Sequence, residues 1–192
     1  GRTEYSSQTF DTPPFANSSQ DFENSVYSFE TEYRAQGGFG ARANVSRALD
    51  EIRQLQPGFG PAGFDYARTR RVTEDVQLDL PRYGTHALSV GVQHSDENTR
   101  AQSFGTVIDQ DTSVVQAFAQ DQFEVGRLNS RLAVGFVDHE TFGSEVTWNA
   151  ELGVKFAGGT RVSLLGGKAF RAPDSTDRFG FGGNPQLKPE VS

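Results

Sequence analysis

Every second residue from Val146 to Phe156 is apolar. Val146, Trp148, Ala150, Leu152, Val154 and Phe156 alternate with Thr147, Asn149, Glu151, Gly153 and Lys155. A helix turns about 100° per residue and would mix the two sets around its circumference. A strand sends alternate residues to opposite faces, so this stretch reads as a strand with one apolar face. Leu128, Leu132, Val134 and Phe136 alternate in the same way with Asn129, Arg131, Ala133 and Gly135. So do Leu88, Val90 and Val92; Val72, Val76, Leu78 and Leu80; and Phe39, Ala41, Ala43 and Val45. Weaker strands are predicted over 25–35, 113–125 and 160–170. The reading is eight strands of about ten residues, with residues 2–5 as the stub of a ninth.

The connections sharpen this expectation. Positions 36–38, 81–84, 126–127 and 157–159 read as tight turns, and 6–24, 50–65, 95–112, 138–145 and 171 onward as long loops. Regular alternation of short turns and long loops is the pattern of an antiparallel up-and-down transmembrane β-barrel, with the turns in the periplasm and the loops outside. A soluble sandwich would bury the apolar face in a core instead. Alternation alone does not separate the two; strand length and loop asymmetry favour the membrane.

Composition agrees. Only 35% of the 192 residues are hydrophobic, and no run nears the roughly 18 apolar residues of a membrane helix. A barrel dilutes its apolar signal by alternation, so it remains open to this chain. A net charge of −7 argues against nucleic acid, because little would neutralise phosphates. No cysteine is present, which removes disulfides and thiolate sites. No methionine is present either, and the chain is expected to be a piece of a longer one.

The C-terminal region carries two linked motifs. The first is Phe170-Arg171-Ala172-Pro173; the second runs through Gly183, Asn184, Pro185, Leu187, Pro189 and Glu190. Pro173 lacks an N–H and ends strand pairing, and Gly183-Asn184-Pro185 makes a turn before pairing resumes. Together they resemble the signature of TonB-dependent outer-membrane receptors, in which a strand ends in (F/Y)(R/K)AP and the next is announced by GNPxLxPE. More weakly, Arg2-Thr3-Glu4-Tyr5 and the hairpin spacing resemble the vitamin B12 (cobalamin) receptor branch.

The resemblance implies a Gram-negative outer-membrane location, contact with lipid and lipopolysaccharide, a small-molecule nutrient as ligand, and no covalent chemistry. It also implies a barrel of about 22 strands around a plug. Eight strands cannot close that circumference. The plug domain, its TonB box and the last strands are therefore expected outside residues 1–192, with TonB acting through the plug. Cobalamin leads as ligand, followed by a ferric siderophore or haem. The rivals are a small structural or adhesive outer-membrane barrel and an outer-membrane enzyme.

Candidate site residues follow from loops on a rigid scaffold. Phe59, Phe64 and Tyr66 are the expected ligand contacts, set among Gly58, Gly60 and Gly63. Gly58 to Gly63 also spells G-x-G-x-x-G, but Pro61 removes an N–H and a strand follows, so a dinucleotide loop is not expected. The resemblance to the cobalamin receptor branch implies outer loops ordered by calcium, an oxygen-seeking cation. Asp50, Asp65, Asp109 and Asp111 are the expected ligands should it bind; solvated loop charge is the plainer reading. His86, His94 and His139 form no close metal or catalytic pair in sequence, and no catalytic residue is assigned.

Overall fold

The computed structural model describes residues 2–5, 18–55, 64–103, 105–180 and 182–192. It is a meander: a nine-stranded antiparallel sheet with its strands in chain order. The strands are β1 (Arg2–Tyr5), β2 (Ser18–Arg34), β3 (Gly40–Leu55), β4 (Phe64–Asp79), β5 (His86–Ser103), β6 (Thr106–Val125), β7 (Leu128–His139), β8 (Gly143–Lys155) and β9 (Arg161–Lys168). Two-residue strands β10 (Phe170–Arg171) and β11 (Glu190–Val191) pair antiparallel, with a short helix α1 (Ser175–Phe179) between them. The eight expected strands and the stub are all present, and no helix interrupts 146–156.

Register turns the alternation into two faces, because directly paired residues project to the same side. Ala43, Val76, Val92, Ala117, Phe136 and Val146 form one continuous row across β3–β8. Ala41, Leu78, Val90, Ala119, Val134 and Trp148 form the next. On the opposite face, Asn44, Asp75, Gln93, Gln116, Val137 and Glu145 make up a mostly polar row.

Nothing among the described residues packs on the apolar face. Ala101 and Ile108 are the only buried hydrophobics described, while Trp148 and Leu152 are each 46% exposed and Leu164 is 76% exposed. A sandwich would have closed this face with a second sheet. An open apolar face on a sheet of this size is what a barrel wall presents to lipid.

The tight turns fall where the sequence puts them, and Gly126 adopts the left-handed φ of 60° that the two-residue β6–β7 turn needs. Of the long loops, the one after Arg171 is present up to Glu190, and 6–17 lies outside the described residues, but the others are displaced. Positions 95–112 are nearly all strand, since β5 runs to Ser103 and β6 begins at Thr106. Only residues 140–142 separate β7 from β8, and β3 and β4 reach to Leu55 and back from Phe64. What distinguishes the two ends is strand overshoot.

The 20 residues of β6 span about 68 Å at roughly 3.4 Å each. Crossing about 30 Å of hydrocarbon at a tilt near 45° needs only about 42 Å. Beyond the bilayer both faces are wet, so the period-two signal disappears while the ladder continues. The change shows in one row: Val45, Glu74, His94, Val115, Asp138 and Ser144 lie immediately beyond the all-apolar rows.

Candidate functional site

The polar face is knitted by cross-strand hydrogen bonds. Asn44 donates to Asp75 at 2.8 Å, Ser89 to Asp79 at 2.7 Å, and Arg71 Nε to Glu97 at 2.9 Å. Toward the turn end, Arg161 donates to Asn129 at 2.7 Å and to Glu151 at 2.5 Å. An aromatic interrupts the polarity in mid-wall. Phe118 is paired between Gly91 and Gly135, and a Cβ at Gly91 would collide with its ring. The missing side chain lets the ring lie flat on the wall. The sequence reading did not pick out Phe118, because its neighbours Ala117 and Ala119 mask the parity of the strand; Gly91 and Gly135 were the available signal.

The chain after β10 folds over this face. Pro173 follows the Phe170–Arg171 ladder, and Asp174 caps α1 by accepting the Asp177 N–H at 2.7 Å. The returning segment is tied down where Asn184 N–H reaches the Asp177 carbonyl at 3.0 Å. Asn184 Oδ1 then accepts from Gln186 N–H at 2.9 Å, closing the turn before Leu187 and Pro189. A Cβ on Gly183 would lie 2.9 Å from the Arg178 and Gly180 backbones, so glycine is required there. Phe170 lies opposite Val191 and Arg171 opposite Glu190. The two halves of the sequence motif therefore close on each other, with an Arg171–Glu190 ion pair at 3.9 Å.

Between α1 and the sheet is a cavity of about 510 Å³, lined by Arg71, Gln93, Glu97, Gln116, His139 and Arg178 among others. A second of about 500 Å³ adjoins it between 174–176 and β2–β5, with Asn24, Asp50, Thr69 and Thr99 in its wall. Both are open; the first is mostly polar, while Val26, Ala48 and Leu49 make the second mixed. The roof is pinned by Arg178, whose guanidinium stacks on Phe142 at 5.0 Å and Phe179 at 4.7 Å. His139 packs against the Phe142 ring at 4.9 Å, and its Nδ1 accepts the Thr141 N–H at 3.1 Å. Burial, and then the nearby Arg178 charge, hold the imidazole below its ordinary pKa. It is therefore neutral at neutral pH, as the Thr141 bond requires.

The candidate residues scatter. Phe59 lies outside the described residues. Phe64 and Tyr66 sit near the free end of β4, with ring centroids 6.0 Å apart. Pairing with Leu55 and Arg53 places them on the face that carries Val72 and Val76, away from both cavities. They are strand residues, where the sequence suggested a loop.

The four aspartates are strand residues too, and they divide between the faces. Asp50 and Asp65 take the polar face, while Asp109 and Asp111 lie on the opposite one. Asp109 accepts from Arg100 at 3.1 Å and Asp111 from Asn98 at 2.7 Å. The structure does not bring the four together. Among the described residues no cluster of three histidine or acidic side chains could hold a metal ion.

His94 comes nearest to a hydrolytic arrangement. Ser113 at 3.1 Å and Asp96 at 3.3 Å both meet its Nε2. A relay needs them on opposite ring nitrogens, and Glu74 is 3.9 Å from Nδ1, too far to orient the ring. The arrangement as a whole is a wall and a covered vestibule, suited to binding and passage.

A family model described as TonB dependent receptor-like, beta-barrel, matches residues 1–192. The chain belongs to the TonB-dependent receptor family, and its sheet is part of that barrel wall. The match sets aside the small structural or adhesive barrel. The family works in nutrient uptake across the Gram-negative outer membrane. That makes the apolar face the lipid face, the polar face the lumen, the tight-turn end periplasmic and the overshooting strands extracellular.

Proposed function

We propose that the chain forms part of a cobalamin uptake receptor, and that the cavity beneath α1 belongs to its outward-facing ligand vestibule. The observation that carries the reading is the loop between β10 and β11. Its ends are zipped together at Phe170 and Val191 while its middle roofs the lumen face. The cavity wall offers side-chain amides and hydroxyls, from Gln93, Gln116, Thr73, Ser95 and Thr112. These groups suit a large neutral ligand edged with amides, as a corrin is, because each can donate and accept. The weak likeness to the cobalamin branch points the same way. Transport would draw on TonB through a plug domain outside this chain.

A second reading is a ferric siderophore or haem receptor. Arg71 and Arg178 in the same wall favour it, since catecholates and propionates are anionic and guanidinium pairs well with them.

Competition on cells carrying the intact receptor separates the two. Labelled cyanocobalamin should bind saturably, be displaced by unlabelled cobalamin, and be unaffected by ferric enterobactin or haemin. Displacement by an iron ligand, with no cobalamin binding at normal receptor levels, would overturn the first reading.

A further inference from the structure

Two complete rows of the lipid face are apolar from β3 to β8, and the next row toward the periplasm is broken by one residue. Asp121 stands there, paired with Leu88 on one side and Leu132 on the other, with Ala150 beyond. Its Oδ2 accepts a hydrogen bond from His86 Nδ1 at 2.6 Å. Its Oδ1 is buried and has no hydrogen-bond partner. A carboxylate facing hydrocarbon is unfavourable unless its charge is met, and a single imidazole donor leaves it under-compensated.

Beside Asp121 the lipid face is grooved. A trough of about 420 Å³ runs between Leu88, Leu132, Val134 and Trp148 over a floor of Ala119 and Ala150. Its wall is almost wholly apolar, and Asp121 is the one ionisable group among the described residues that line it. Small residues between large ones leave a slot of acyl-chain width.

Depth identifies the occupant. Asp121 lies five positions before Gly126 at the β6–β7 turn, about 17 Å along the strand at roughly 3.4 Å per residue. At a tilt near 45° that is about 12 Å of height. The exposed Tyr83 of the β4–β5 turn and Phe123 lie nearer the turns, as an interfacial aromatic girdle does. Asp121 thus sits one row inside the girdle, at the inner margin of the headgroup layer of the periplasmic leaflet.

We propose that this is a phospholipid site. An acyl chain lies in the trough, and the primary ammonium of a phosphatidylethanolamine headgroup meets the Asp121 carboxylate, with His86 holding that carboxylate in place. A primary ammonium supplies the charge and N–H donors that Asp121 lacks. Oδ2, bonded to a single imidazole N–H, keeps lone-pair capacity for a second donor arriving from the lipid.

The test uses the intact receptor in mild detergent. It is offered equal amounts of phosphatidylethanolamine, phosphatidylcholine and phosphatidylglycerol with identical chains, and retained lipid is counted by native mass spectrometry. Phosphatidylethanolamine should be retained at least fivefold over phosphatidylglycerol, and over phosphatidylcholine, which lacks N–H donors. Asp121→Asn should abolish that preference while heat-modifiable gel mobility shows a folded barrel. Should Asp121→Asn not fold, Ala150→Phe decides the matter, because it fills the trough, leaves Asp121 intact and should lose the lipid.

No retained lipid on the wild type, an equal or greater share of phosphatidylglycerol, or a preference unchanged in a folded Asp121→Asn would overturn the site. So would a polypeptide found on this face of the wild type and lost in Asp121→Asn, which would make the trough a protein interface.

Discussion

The guanidinium of Arg178 sits 5.0 Å from the ring centroid of Phe142, so the loop after β10 is stacked on the tip of the β7–β8 hairpin. Few other contacts hold α1, which buries no residue of its own. A cation–π contact at a partly exposed site contributes about 0.5–1 kcal/mol. Arg178→Ala should therefore raise hydrogen exchange across 174–180 two- to fivefold and leave exchange in β6 and β7 unchanged. Unchanged exchange in the loop would mean that the stack does not hold the roof.

The same contact should respond to acid. His139 is neutral in the docked state because burial and Arg178 lower its pKa below the ordinary 6.5. A lowered imidazole pKa means that the undocked state takes up a proton more readily. Docking is thus at full strength above about pH 6.5 and weakens as pH falls below it. Protonation also removes the acceptor for Thr141 N–H. A spin label at Thr176 should gain mobility between pH 7 and pH 5, and His139→Gln should flatten that response. A mobility profile independent of His139 would assign the effect elsewhere.

Leu152 and Glu151 are chain neighbours on opposite faces. Leu152 pairs with Ser130 and Leu164 on the lipid side, whereas Glu151 accepts from Arg161 on the lumen side. Leu152 lies only slightly deeper than the interfacial row, so Leu152→Arg should weaken folding of the intact receptor into vesicles by about 1–3 kcal/mol, between the interfacial and midplane costs of a lipid-facing arginine. Glu151→Arg loses one ion pair in a wet lumen and should cost about 1 kcal/mol or less. Denaturant titration in lipid measures both, and equal costs would mean that the face assignment is wrong.

The legible part of the fold was the part that touches lipid. There the solvent on the two sides differs, so Leu88, Val90 and Val92 had to alternate with Ser89, Gly91 and Gln93, and strand, face and turn could be read together. Past the row containing Glu74, His94 and Asp138 both faces meet water, and selection for alternation ends. Asp50, Asp65, Arg100, Asp109 and Asp111 consequently looked like loop residues although they continue the ladder. The site suffered for the same reason. Its wall comes from residues on different strands, such as Arg71, Gln116 and His139, whose shared row is set by register. The motif at 170–190 was visible, but the meeting of its two halves was not, because pairing between β10 and β11 depends on how the loop returns.

That shift of strand ends changes how the β3–β4 hairpin should be dissected. Replacing residues 52–64 would remove ladder pairs, since Arg53 lies opposite Tyr66 and Gln54 opposite Asp65. Each lost pair gives up backbone hydrogen bonds and cross-strand contacts of about 0.2–1 kcal/mol. Residues 56–63, in contrast, lie between the described strands, and a Gly-Ser linker of equal length leaves every registered pair intact. We expect the 56–63 replacement to assemble at wild-type levels, and the 52–64 replacement to assemble less well, as judged by heat-modifiable mobility in outer-membrane fractions. Ligand binding then separates two roles. Phe64 and Tyr66 remain in the shorter replacement but share the outward face, so they should contribute little to a ligand held beneath α1. Cobalamin affinity reduced tenfold or more by the 56–63 replacement would assign contact to Phe59 or its neighbours. Unchanged affinity, with Arg178→Ala weakening it, would place recognition under the β10–β11 loop. Normal assembly of the 52–64 replacement would count against the long β3 and β4 ladder itself.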